Sequence, residues 1–282
     1  MHPAAARCLW GAVHIHSDFS HDGHDGVAEI ARRAGELGLD FCMLTDHFED
    51  FDEEGFARYL AAVDVANRTG SCLVIPGVEV DIDGLHVLLL QVTDYEEVNR
   101  VLVKRKLGDS QLVALLAHPN KYTPAEISRF VTTCDIAGIE VWNQAFDGLR
   151  LPDGRGLRER LGNFPAEGCG VFFGLDTHDI RRPISNVILL PPEMEAPTAK
   201  GVVEQLRRRR YISYSCNARV FLPGTSAWSD VAAWLDFVEG KASVGARMAR
   251  SVRHRLRTPY RALPKPIRSR LNGVKNAVRG RL

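Results

Sequence analysis

The chain has 282 residues, of which 45% are apolar, enough to bury one large core or two smaller ones. This composition excludes fibrous and wholly disordered classes of protein. No run approaches the roughly 18 consecutive apolar residues of a membrane span, and the first residues lack a leader pattern, so we expect a cytoplasmic protein without a transmembrane segment. Six cysteines without CxxC spacing fit buried thiols in a reducing compartment.

The net charge of +1 conceals an uneven distribution. Residues 241–282 contain 13 lysines and arginines and no acidic residue, whereas the other 23 basic and 35 acidic residues give residues 1–240 a formal charge of −12. We therefore predict a catalytic domain over 1–240 and a basic tail over 241–282. Apolar residues at every fourth position of the tail predict short amphipathic helices. Such a tail could lie on an anionic membrane surface, contact nucleic-acid phosphates, or stay solvated and disordered.

Short apolar strands alternate with amphipathic helices through residues 1–240. Strands are predicted at 8–13, 41–44, 72–80, 86–92, 112–117, 136–142, 170–175, 186–190 and 211–215. Helices are predicted at 27–38, 56–68, 94–104, 124–132, 157–161, 199–209 and 226–240. This order is typical of an α/β fold in which helical crossovers join parallel strands into a closed barrel or an open sheet.

The segment HIHSDFSHDG, residues 14–23, follows the first strand and is rich in side chains that bind metals. Alternate side chains of a strand share a face, so His14 and His16 are expected to point together. A turn marked by Ser20 and Gly23 could bring Asp18, His21 or Asp22 back toward the pair.

Similar side chains recur at the ends of later strands. These positions are His47 after 41–44, Glu79 within 72–80, His118 after 112–117, and Asp176 and His178 after 170–175. His86, at the start of the strand 86–92, would join them if that strand runs back toward the same mouth. Because the C-terminal ends of all strands meet in a barrel, this pattern favours the barrel over the open sheet.

Six histidines, two aspartates and one glutamate are enough to hold two to three divalent ions. Neutral imidazoles bind zinc, manganese or iron, and a carboxylate can bridge two ions while offsetting their charge. A water or hydroxide shared between two ions would attack at neutral pH, and the ions would also hold the oxygens of a phosphate. The pattern therefore predicts hydrolysis of a phosphate ester.

Together these motifs resemble those of the PHP superfamily, named for polymerase and histidinol phosphatase. The resemblance rests on HIHS at 14–17, TDH at 45–47, PGVE at 76–79, His86 before an apolar strand, AHP at 117–119 and DTH at 176–178, and it extends over roughly residues 9–222. It implies a distorted (β/α)7 barrel with up to three metal ions at its C-terminal mouth. It also implies phosphoesterase activity on phosphomonoesters, nucleotides or nucleic-acid ends.

The resemblance further implies a ligand set for each ion. One ion would be shared by His14, His16, Glu79 and Asp176; a second by Glu79, His86 and His118; and a third by Asp22, His47 and His178. Asp22 is preferred because a carboxylate helps to neutralise the cluster, with His21 as its rival. Glu79, Asp176 and His178 would form the catalytic centre.

Substrate contacts are predicted in the loops near the same mouth, from Lys121, Asn143, Arg181 and Arg182. Arginine suits phosphate because its planar guanidinium binds two oxygens at once. Asp46 is expected only to orient a histidine and Glu140 to be structural, so neither enters the catalytic set.

The sequence thus predicts a metal-dependent phosphoesterase acting on a small phosphorylated metabolite or nucleotide. One alternative is an exonuclease whose basic tail holds the polynucleotide. Another is a metal-binding scaffold or regulatory module without turnover, although such a module would have little need of all nine ligands.

Overall fold

The computed structural model describes residues 7–105, 112–148, 169–191 and 196–226, with single positions between 152 and 161 and between 230 and 237. Its strands are β1 Leu9–Ile15, β2 Phe41–Leu44, β3 Asp46–His47, β4 Leu73–Ile75, β5 Gly77–Ile82, β6 Leu85–Leu90, β7 Val113–Leu116, β8 Gly138–Asn143, β9 Gly170–Gly174, β10 Asn186–Leu190, β11 Ile212–Ser215 and β12 Val220–Pro223. Its helices are α1 Val27–Glu36, α2 Glu53–Thr69, α3 Tyr95–Lys104, α4 Pro124–Thr133, α5 Gln144–Asp147 and α6 Ala199–Arg207.

These elements confirm the predicted α/β class. The basic tail lies outside the described residues, as do two of the five positions of the helix predicted at 157–161 and eight of the fifteen positions of the helix predicted at 226–240. Among the residues described, no helix combines the length and the apolar character that crossing a membrane requires.

The first sheet has the strand order β12-β11-β10-β1-β2-β4. β1, β2 and β4 are parallel, because α1 and α2 cross between them. The apolar face of α1 consists of Val27, Ile30, Ala31 and Ala34, whose helical spacing places all four against the core. β10, β11 and β12 continue the sheet on its other side in antiparallel pairs.

The second sheet has the strand order β3-β5-β6-β7-β8-β9. β5 and β6 form a hairpin through Asp83 and Gly84, which have φ angles of 56° and 83°. An Asp-Gly pair with positive φ at both residues is the favoured two-residue hairpin turn. The hairpin makes β6 antiparallel to β5 and brings the start of β6 beside the end of β5, so His86 pairs with Asp81.

The chain passes between the sheets at two short breaks. Thr45 separates β2 from β3, and Pro76 separates β4 from β5. The predicted strand 72–80 is therefore divided between the two sheets, whereas the predicted strand 41–44 corresponds to β2 alone. Proline has no N–H to donate to a sheet ladder, which accounts for the break at Pro76.

Backbone hydrogen bonds also join the end of β1 to both sheets. The Thr45 N–H donates to the Ile15 carbonyl at 2.8 Å, and the His16 N–H donates to the Thr177 carbonyl at 2.9 Å. The ends of β1, β3 and β9 therefore lie close together.

The predicted (β/α)7 barrel is not confirmed. The described strands form two mixed sheets, in which β6 is antiparallel to both of its neighbours and β10 is antiparallel to β1. A strand that follows its neighbour through a two-residue turn cannot be parallel to it. The sequence analysis allowed for the reversal of β6, which places His86 at the mouth, but it did not predict that of β10.

Six strands are buried on both faces along their whole length: β1, β2, β7, β8, β9 and β10. Along β1, Leu9 and Val13 belong to one apolar cluster, whereas Trp10 and Ala12 belong to another. Gly11 leaves room for the Phe41 ring, because a Cβ on Gly11 would lie 2.1 Å from Phe41 Cε2. Two apolar faces give the strands continuous apolar sequences and leave polar side chains for the strand ends.

Candidate metal centre

Three of the residues at the ends of strands have a left-handed backbone. The φ angles of His14, His118 and Asp176 are 71°, 42° and 50°. Residues other than glycine seldom adopt this conformation, and such strain is concentrated at functional sites. A β-bulge in β1 between Ala12 and Ile15 accompanies the conformation of His14. Bulges re-aim side chains, and here His14 and His16 both reach the same carboxylate.

That carboxylate is Glu79, the third residue of β5, whose side chain is only 2% exposed. Its Oε1 lies 2.8 Å from His118 Nε2 and 2.5 Å from His86 Nδ1. Its Oε2 lies 3.3 Å from the Nε2 atoms of both His14 and His16. Burial would raise the pKa of Glu79, but the charge of His14 and the hydrogen bonds from the histidines hold it well below its usual range.

Asp176 is the second buried carboxylate of the cluster. Its Oδ1 lies 3.5 Å from the Nε2 atoms of His14 and His16 and 4.0 Å from His178 Nδ1. Burial acts to raise the pKa of Asp176, but the charge of His14 and the proximity of His16 lower it far below the usual range.

The pKa values of the histidines in the cluster shift in two directions. Burial acts to lower the pKa of His16, yet the nearby carboxylates of Asp176 and Glu79 raise it to about 9. The pKa of His14 is also raised, against burial, by Asp176, Glu140 and Glu79. Burial dominates at His118 and His178 and lowers the pKa of each. The buried carboxylates therefore favour the protonated forms of His14 and His16.

The outer part of the cluster is built around Asp22. Its Oδ2 lies 3.0 Å from His178 Nε2 and 3.5 Å from His47 Nε2. The His178 ring stacks on the His16 ring, with the two centroids 4.3 Å apart. His21 instead contacts Asp50, which accepts from the His21 backbone N–H at 2.9 Å and lies 2.8 Å from His21 Nδ1.

The donor atoms are close enough to hold metal ions. In four groups the ligand atoms all lie within 4.8 Å of one another: His16, Asp22, His47 and His178; His14, His16 and Asp176; His14, His118 and Glu140; and Glu79, His86 and His118. All nine residues predicted as ligands occur in these groups, together with Glu140. Imidazole and carboxylate donors in this mixture suit zinc, manganese or iron.

A buried nitrogen without a hydrogen bond supports the same fit. His16 Nε2 lies near Glu79 and Asp176, but it has no hydrogen-bond partner of acceptable geometry. The Ser20 hydroxyl donates to Asp46 at 2.9 Å and therefore accepts at its contact with His16 Nδ1, 3.4 Å away. A neutral His16 then carries its proton on Nδ1 and keeps an Nε2 lone pair for an ion.

Glu140 takes part in the site, although the sequence suggested only a structural role. It is 1% exposed; its Oε1 lies 3.1 Å from His14 Nδ1, and its Oε2 accepts from the His118 backbone N–H at 2.9 Å. A carboxylate that binds the outer nitrogen of a ligand histidine fixes the ring and its tautomer. The sequence did contain a signal for this role, because Glu140 is an acidic residue inside the apolar strand β8. Buried acidic side chains are rarely without partners.

Asn143 lies beneath the cluster rather than at an open surface. It is 2% exposed, and its Nδ2 lies 2.8 Å from His118 Nδ1, 2.9 Å from Glu140 Oε2 and 3.1 Å from Asp176 Oδ2. This geometry favours a positioning role for Asn143 over the predicted contact with substrate.

The three predicted cations are exposed. Lys121 lies with its Nζ 4.4 Å from the centre of the Phe146 ring, and Phe146 is next to His118. Arg181 forms an ion pair with Asp179, with Nε 2.8 Å from Oδ1. The Arg182 backbone N–H donates to the Asp179 carbonyl. Their roles toward a substrate stay predictions.

Comparisons with known proteins agree with the resemblance seen in the motifs. Residues 12–150 match the sequence profile of the PHP domain. A Thermotoga maritima protein named "Probable histidinol-phosphatase" is 26% identical over 133 residues, which cover 40% of this chain and 57% of that protein. The match thus spans little more than half of that relative.

Two solved structures are also similar to this chain. PsfC from Pseudomonas syringae PB-5123 is 17% identical with a TM-score of 0.48, and the match covers 82% of this chain and 97% of PsfC. An amidohydrolase from Chromobacterium violaceum, solved with sulfate and no metal, is 16% identical with a TM-score of 0.44, over 71% of this chain and 96% of that chain.

Proposed function

Because the chain belongs to the PHP superfamily, we propose that it is a metal-dependent phosphoesterase that hydrolyses a small phosphate ester at the cluster around Glu79. The observation that carries the proposal is the contact of both Glu79 oxygens with histidines from several segments of the chain. Oε1 meets His86 and His118, and Oε2 meets His14 and His16. A buried carboxylate between two sets of imidazoles is suited to bridge two cations.

The proposed ligand sets are those implied by the sequence. They are His14, His16, Glu79 and Asp176; Glu79, His86 and His118; and Asp22, His47 and His178. Zinc, manganese or iron bound there would polarise the phosphate and acidify a water, which is the chemistry that phosphoester hydrolysis needs.

The chain itself supplies orientation and charge. Asn143 holds the His118 ring at Nδ1 and Glu140 accepts from the His118 backbone N–H, so that Nε2 points to Glu79. Glu79 and Asp176 provide negative charge that favours cations over a neutral ligand.

Exposure differs across the cluster and suggests a direction of entry. His14, His16 and His118 are at most 2% exposed, whereas the side chains of His178, His86 and Asp22 are 26%, 33% and 39% exposed. We propose that a substrate approaches on the side of these three residues. Arg181, Arg182 and Lys121 are the proposed cations for its phosphate or for a second anionic group.

The test is turnover by the full chain after metal removal and reloading with manganese, zinc or iron. We expect hydrolysis of at least one class in a panel of phosphomonoesters, phosphodiesters and labelled DNA, with loss of activity in chelator and recovery on reloading. Degradation of DNA ends without monoester hydrolysis would favour the exonuclease. Stoichiometric metal binding without turnover of any substrate would contradict the proposal and leave the scaffold alternative.

A further inference from the structure

An exposed aromatic side chain stands next to the proposed metal centre. Phe146 is 52% exposed and, with Val65 and Val103, is one of three large apolar residues exposed in the described part of the chain. Its ring centroid lies 5.3 Å from that of His118, a proposed ligand. Covering this ring with a ligand would be favourable by about 25 cal/mol per Å² of apolar surface removed from water.

The position of Phe146 is tied to the cluster through its neighbours in the chain. The Phe146 backbone N–H donates to Asn143 Oδ1 at 3.1 Å, while Asn143 Nδ2 contacts His118, Glu140 and Asp176. Gln144, in the same short helix α5, donates to the Pro183 carbonyl and accepts from the Ser185 N–H. The backbone that carries the ring is therefore anchored on its N-terminal side, through Asn143 and Gln144.

A cation lies against the same ring. Lys121 follows His118 after a short 3-10 turn, Pro119–Lys121, and its Nζ is 4.4 Å from the Phe146 centroid. An ammonium group at this distance is attracted to the ring face. One side of the proposed site thus combines an aromatic surface with a hydrogen-bond donor that carries a positive charge.

We infer that Phe146 is a specificity-determining residue, which selects phosphate esters whose alcohol carries a flat aromatic ring. This inference rests on the proposed function, because the phosphate has to be held at the metal centre while the ring stacks on Phe146. A heteroaromatic ring suits this surface better than an alkyl chain does. Its face stacks on phenylalanine, and its ring nitrogens or carbonyl oxygens can accept a hydrogen bond from Lys121.

The test compares two esters that differ only in the ring. Adenosine 5′-monophosphate and ribose 5-phosphate share their sugar phosphate, so the ratio of their kcat/KM values isolates the contribution of the base. We expect the wild-type enzyme to prefer adenosine 5′-monophosphate. Phe146→Leu should lower the ratio about tenfold, chiefly through the KM of the nucleotide, since stacking acts on bound substrate throughout the reaction.

Two further variants make the result specific. Phe146→Tyr retains a ring and should retain most of the ratio, whereas Val103→Ala, which trims an exposed apolar residue on α3, should leave it at the wild-type value. Unchanged unfolding temperatures would show that each variant is folded. An equal ratio in Phe146→Leu and wild type would overturn the inference but leave phosphoesterase activity standing. Absence of turnover of either ester by the fully loaded wild type would count against the proposed function itself and remove the inference with it.

Discussion

Glu140 and His14 face each other at 3.1 Å, from Oε1 to Nδ1, while Nε2 of the same imidazole lies 3.3 Å from Glu79 Oε2. The ring is therefore held between two buried carboxylates. If the Nδ1 proton is directed to Glu140, the Nε2 lone pair is free to bind an ion.

Glu140→Gln is expected to weaken metal binding about 10- to 100-fold, because an amide fixes the His14 tautomer less firmly than a carboxylate does. Competition with a chelator would measure the affinity, and the spectrum of a cobalt-loaded sample would report a changed ligand field. Glu54→Gln, at a side chain that is 83% exposed, is the matched control. Equal affinity in the Glu140 variant and wild type would leave Glu140 with a structural role only.

Glu79→Gln and His118→Ala should each lower metal content and phosphoester turnover together. Glu79 touches four of the proposed histidine ligands within 3.3 Å, so its loss affects more than one ion. Elemental analysis of the purified variants measures the first effect, and steady-state kinetics the second. Full metal content with wild-type turnover in both variants would contradict the hypothesis that Glu79 and His118 hold the metal ions.

Asp22 and His21 can be separated by paired substitutions. Asp22 Oδ2 contacts His47 and His178, whereas His21 contacts Asp50 and its side chain is 64% exposed. We expect Asp22→Asn to lose metal from the outer group and His21→Asn to keep the wild-type content. The opposite result would assign the ligand to His21.

Gly174→Ala should disturb the site without removing any polar group. A Cβ on Gly174 would lie 1.8 Å from Glu140 Oε1 and 3.4 Å from His14 Cβ, so Glu140 would have to move. Overpacking of this kind typically costs about 1–3 kcal/mol of unfolding free energy, and metal affinity should fall as well. Denaturant unfolding and chelator competition measure the two effects.

Gly26→Ala is the control for this variant, since the nearest atom to the added Cβ would be 3.5 Å away, an ordinary contact. If Gly174→Ala and Gly26→Ala had the same free energy of unfolding and the same metal affinity, the close approach of Gly174 to Glu140 would not matter for either property.

A chain that ends after residue 240 keeps every proposed ligand and should hydrolyse a small phosphate ester as the full chain does. The full chain should bind anionic vesicles more strongly than neutral ones, and salt should weaken this binding, because 13 positive charges lie in residues 241–282. Binding to vesicles would favour a peripheral membrane role. Tight DNA binding coupled to degradation would favour the exonuclease, and binding to neither polyanion at low salt would favour a solvated tail.

Sequence pattern alone was enough for the α/β class and the helices α1 to α4 and α6, and the family was indicated by the resemblance of its motifs. It also identified His14, His16, His118 and Asp176 as candidate ligands. The apolar strands are short, and polar residues occur where each of them ends. That logic depends on local periodicity and on the tendency of parallel strands to present their ends on one side, both of which are readable along the chain.

Pairing between distant strands could not be read in this way. The antiparallel partners of β1 and β6, the division of the chain between two sheets at Pro76, and the place of Glu140 beside His14 all depend on residues far apart in sequence. Apolar periodicity specifies which face of a strand is buried but not which strand lies next to it. The orientation of Asp22 toward His178 and the exposure of Phe146 likewise arise from packing between segments. Such contacts depend on the free energy of the whole fold, so they cannot be predicted from any single segment of the sequence.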